Sequence, residues 1–145
     1  MRLPKALLAL VLSPLVVGWL GAASAHAALK LKSSPKRCKF EAVASRCTAT
    51  VTNHTKDTTL TVSVLEVSEP AGAGRAFAIV AGTCAVGLEL APGQSCTSEI
   101  ECVELPQAGG APITAFYELE AAITPGEVPA NKKNSRRVSV ELKAA

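Results

Sequence analysis

The chain has 145 residues, 15 of them Lys or Arg against 12 Asp or Glu, with 48% hydrophobic but only 3% aromatic side chains. That is one domain's length, enough for a single core, and a formal charge of +3 is too slight to argue for a nucleic-acid partner. Removing Arg2 and Lys5, which fall in an export signal, leaves 13 basic against 12 acidic residues.

The signal comes first. Arg2 and Lys5 make a positive start, residues 6–17 are almost wholly apolar, and Ala23-Ser24-Ala25 and Ala25-His26-Ala27 are both small-x-small cleavage patterns. Cleavage after Ala25 or Ala27 is expected rather than a retained anchor, because Pro14 and Gly18 interrupt the run. Residues 1–27 are read as a signal peptide and 28–145 as one domain, secreted or periplasmic, with no membrane span after cleavage.

Beyond the signal the hydrophobic period is two. Cys47, Ala49 and Val51 alternate with Thr48, Thr50 and Thr52, and Glu118 and Glu120 alternate with Tyr117, Leu119 and Ala121. Strands are predicted over 37–43, 46–53, 59–68, 76–80, 96–104, 114–124 and 135–143. Turn-formers separate them: 53–57, 69–74, Pro92-Gly93, 107–112 and 125–134. Seven short strands in a chain of this size predict an all-β sandwich or barrel.

Catalytic patterns are missing. His54 is the only histidine certain to remain after cleavage and sits in a polar turn, Asp57 is the only aspartate, and Ser95 lacks a G-x-S-x-G elbow. Gly72 and Gly74 lead into a strand rather than a helix, so no phosphate loop is expected. All five cysteines, Cys38, Cys47, Cys84, Cys96 and Cys102, lie in the exported part, where disulfides form. Two bridges and one free thiol are the simplest outcome. With no C-x2-C spacing and so few histidines, neither a metal nor a cofactor is expected.

Phe40 and Val43, Val51-Thr52-Asn53, Phe77-Ala78-Ile79, Thr83-Cys84 and Leu90-Ala91-Pro92-Gly93-Gln94-Ser95-Cys96 follow one another in an order that resembles the abnormal-spindle/hydin-like, choice-of-anchor type of bacterial immunoglobulin-like domain. The resemblance spans roughly residues 35–103, although Phe40-Glu41 replaces the family's Phe-Gly and Asn53-His54-Thr55 its Asn-x-Gly turn. It implies a seven-stranded immunoglobulin-like sandwich stapled by disulfides. Within that topology a Cys84 to Cys96 bridge is expected to brace the Pro92-Gly93 turn. The second and fifth strands would be antiparallel neighbours, which favours Cys47 with Cys102 and leaves Cys38 as the free thiol. The rival is Cys38 with Cys47, leaving Cys102.

In the family the first and last strands lie close together. That would merge Lys36, Arg37 and Lys39 with Lys132, Lys133, Arg136 and Arg137 into one basic binding edge for an acidic protein or an anionic envelope polymer. The expected function is a non-catalytic binding or adhesion module of the bacterial envelope or extracellular space, with the loops 69–75 and 125–137 as further contact sites. A structural envelope component or disulfide-linked dimer is one alternative. A thiol-redox protein using the unpaired cysteine is another.

Overall fold

The computed structural model describes residues 28–70, 75–123 and 134–145. The signal segment, Lys132, Lys133 and the greater part of both long loops lie outside the described residues. The described residues hold nine strand segments where seven were expected: β1 (Leu31–Ser34), β2 (Arg37–Phe40), β3 (Arg46–Asn53), β4 (Leu60–Ser68), β5 (Phe77–Gly82), β6 (Glu89–Leu90), β7 (Ser95–Cys102), β8 (Ile113–Ala122) and β9 (Ser135–Ala144). The additions are β1 and β6. One is a Lys-Ser-rich segment with little strand propensity, and the other is only two residues long.

The strands form two sheets, β1-β3-β7-β5 and β2-β9-β8-β4-β6. Alternation along each strand points one set of side chains between them: Ala49 and Val51 from β3, Ile100 from β7, Tyr117 and Leu119 from β8, Val140 and Leu142 from β9, all fully buried. Phe40 and Phe77 meet across the sheets with ring centroids 5.2 Å apart. The Tyr117 hydroxyl of one sheet shares a 2.9 Å hydrogen bond with Ser98 Oγ of the other, so this buried polar pair is satisfied.

One side of the sandwich is strapped shut. β1 pairs with β3 in the first sheet, and three residues later the same chain pairs, as β2, in parallel with the end of β9 in the second. Where β2 does not reach, Ser33 Oγ donates to the Ser139 carbonyl (3.4 Å) and Arg136 Nε to the Leu29 carbonyl (3.0 Å).

The disulfides correct one expectation. Cys84 and Cys96 are bridged as expected, with Cα atoms 4.9 Å apart. Cys47, however, pairs with Cys38 (Cα–Cα 6.0 Å), and the free thiol is Cys102, not Cys38. β3 and β7 are antiparallel neighbours and both residues face inward, but Cys47 stands opposite Ile100. Cys102 is therefore a diagonal neighbour, at a typical separation of about 7–8 Å, beyond the roughly 4.4–6.8 Å that a disulfide spans. Because β2 and β3 belong to different sheets, Cys38–Cys47 ties the two layers together.

Candidate functional site

Of the expected basic edge, Lys132 and Lys133 lie outside the described residues, while Arg37 and Arg137 face carboxylates. β2 and β9 do pair, yet their register sets Arg37 beside Glu141, to which it forms an ion pair (3.1 Å), and Lys39 beside Lys143. Arg137 lies four residues before Glu141 on β9 and turns across β8 toward β4, where Glu118 and Glu120 of β8 come within 3.4 and 3.3 Å and Glu66 of β4 within 4.0 Å. Arg136 is engaged with Leu29 and Ser135. Ion pairing thus takes up Arg37 and Arg137. No group of three or more His, Cys, Asp or Glu side chains suited to a metal ion occurs among the described residues.

The open side of the sandwich differs. β5 is the last strand of its sheet, and among the described residues no strand covers its outer edge. In the facing sheet β6 pairs only with Leu60 and Thr61 of β4, extended by the Val62 bonds to Gly87 and Leu88, so β4 from Ser63 onward is likewise uncovered. Unpaired amides and carbonyls on a strand edge are a template for another strand. β5 reads Phe77-Ala78-Ile79-Val80-Ala81-Gly82 and carries neither the lysine nor the proline that commonly blunts such an edge.

Local chemistry defines where this edge starts. Val103 and Glu104 donate to the Ala76 carbonyl, which directs it toward β7. The next amide, Phe77 N, points the other way and donates to Glu69 Oε1 (3.1 Å), which also accepts Ala76 N (2.9 Å). Antiparallel alternation puts the Ile79 amide on the same outer side two residues on. Farther along, β5 bulges between Ile79 and Ala81 and reaches Gly82, whose φ is +127° and where a Cβ would meet the Thr97 carbonyl oxygen. The open run is therefore the first half of β5. Beside it lies a cleft of about 400 Å³ lined by Val67, Glu69, Arg75, Phe77, Ala78 and Ile79.

The charge around this side is negative. Glu99 and Glu101 of β7 share Arg46 at 3.3 and 2.9 Å, which leaves one carboxylate charge unbalanced. Glu69 and Glu104 flank the start of β5, and Arg75 is the basic residue there. The free thiol stands apart: Cys102 is fully buried, it contacts the Glu104 carbonyl at 3.4 Å, and burial pushes its pKa up.

The sequence reading missed Asn53. Its Nδ2 donates to the carbonyls of Thr58 (2.9 Å) and Leu90 (2.8 Å), and its Oδ1 accepts from Thr55 N (2.9 Å), while Asn53 itself has no exposure to solvent. Its backbone also bonds Gln94 and Gly93, so one side chain and its peptide hold the 53–58 turn, β6 and the Pro92-Gly93 turn together. The signal was present in the pattern, since Asn53 is in phase with inward Ala49 and Val51.

No protein-family model matches the chain, and no curated protein does. Solved structures match in fold. WR4, an MSP family member from C. elegans, aligns at TM-score 0.53 and 15% identity over 83% of this chain and 100% of that one. The E. coli chaperone DraB aligns at TM-score 0.56 and 17% identity over 80% of this chain and 54% of its own. The Vibrio cholerae protease VesB aligns at 0.53 and 14% over 88% of this chain, which is 34% of the protease. At these identities the likeness is one of fold, an immunoglobulin-like β-sandwich. The chain spans about half of DraB and a third of VesB.

Proposed function

We propose that this protein is an exported, non-catalytic binding module of the bacterial envelope or extracellular space that receives its partner along the open edge of β5. The observation that carries the reading is the asymmetry of the two sides: β1 and β2 close one, while β5 and most of β4 leave the other uncovered among the described residues. Two disulfides, one of them between the sheets, suit an oxidising compartment and make a rigid platform. Membership of the abnormal-spindle/hydin-like group remains part of the proposal, resting on the residues between 35 and 103.

The alternatives draw less support. A buried thiol with a raised pKa is a poor nucleophile and has no route to a second chain, which weighs against both redox exchange and a disulfide-linked dimer. A purely structural role would not require an uncovered apolar edge. The test is retention on the native envelope by the mature protein and by Ile79→Pro, which removes an outward amide while leaving the ladder to β7. Loss of retention in a variant with the native disulfide map supports the reading; equal retention overturns it.

A further inference from the structure

We infer that the β5 edge takes an extended peptide segment whose side chains alternate apolar and basic, a reading that rests on the binding module proposed above. A strand added beside β5 would place alternate residues on opposite faces of the sheet. One set falls on the inner face next to Phe77 and Ile79, over the cleft of about 400 Å³ that these residues share with Val67. That set is apolar.

The other set falls on the outer face next to Ala78. The ladder partner of Ala78 is Glu101, and Glu99 lies two residues along β7 on the same face. Alanine has no bulk to screen the carboxylates, and a residue added outside β5 has its Cα roughly 10 Å from theirs, two strand spacings away. A lysine or arginine stem lying across Ala78 covers that distance together with the glutamate side chain. Since Glu99 and Glu101 share the single Arg46, a further cation is matched by charge rather than crowded by it.

The same charge argues against a second copy of this chain as the occupant. Pairing β5 with its symmetry mate would bring two Glu99–Glu101 pairs toward one seam, each with a net negative charge. A basic strand removes that repulsion. Glu69, bound to the Ala76 and Phe77 amides, marks the end of the open run and sets where the added strand stops.

The experiment uses the mature protein and three labelled peptides: one alternating lysine and valine, one alternating glutamate and valine, and the first with its pairing amides N-methylated. Fluorescence anisotropy is expected to show binding of the lysine–valine peptide alone. The double variant E99Q/E101Q, which keeps the shape of the outer face, is expected to weaken that binding roughly three- to tenfold, as for partly exposed charge pairs. Equal binding of the glutamate–valine peptide overturns the basic specification while leaving the edge as a site. Equal binding of the methylated peptide shows a contact that is not strand pairing and overturns the inference. A dimer in sedimentation that Ile79→Pro makes monomeric assigns the edge to a second copy and also overturns it. If no peptide binds while Ile79→Pro still abolishes envelope retention, the inference falls and the binding module stands.

Discussion

At the scale of single residues, the polar groups inside the sandwich matter more than their number suggests. Asn53→Ala leaves two carbonyls and an amide without their partner in a buried site, and is expected to cost about 3 kcal/mol, read as a lower urea midpoint. Asn53→Asp should do no better, because a carboxylate cannot donate to Thr58 and Leu90. Tyr117 and Cys102 give the protein an alkaline limit. Burial raises both pKa values, so the folded state holds these protons at pH values where the unfolded chain has begun to lose them. The stability is complete below the ordinary values, 9.0 for the thiol and 10.0 for the phenol, and is lost as pH rises from there through the raised folded values. Tyr117→Phe, which lacks the titrating hydroxyl, is expected to flatten the decline above pH 10.0; an unchanged slope in urea titrations rejects the assignment.

At the scale of elements, seven strands were legible because their period of two leaves a dry face and a wet one. β1 and β6 were not. A strand that is short, or that belongs to an edge and buries little, has no pattern to read; its position is set by the strand it joins, here β3 and β4. The second disulfide was misread for a related reason: inward phase was visible, but register is fixed by turns and bulges elsewhere in the sheet. Peptide mapping without reductant is expected to yield Cys38–Cys47 and Cys84–Cys96 peptides, with Cys102 alkylated only after denaturation. Removing either bridge should lower stability by about 3 kcal/mol on loop entropy. Gly82→Ala is predicted to cost about as much, ~2–3 kcal/mol for a strained positive φ before the displaced Thr97 carbonyl is counted. Since that carbonyl also accepts the Thr83 and Cys84 amides, the variant should loosen the Cys84–Cys96 loop, read as faster amide exchange there.

At the scale of the whole molecule, the class of fold was readable, whereas the placement of charge was not. The positive residues at the start and end of the chain are clear as runs, but pairing β2 with the last four residues of β9 slides them past each other and opposes Arg37 to Glu141. Glu99 and Glu101, by contrast, come to the open side, because β7 carries them beside β5. Binding at the proposed edge should therefore weaken with salt through these carboxylates. The wild-type protein is expected to lose more affinity on going to high salt than E99Q/E101Q does, and an identical salt dependence of the two would place the charge contact elsewhere.

The strap of β1 and β2 has a consequence in time. A ribosome delivers residues 37–40 long before residues 141–144, and β2 finds no place in its sheet until β9 is present. The β2 edge is thus completed only by a segment about a hundred residues farther along the chain, a non-local pairing of the kind that forms late. For the exported protein proposed above, such delay would keep the chain open to transfer across a membrane before its sandwich closes.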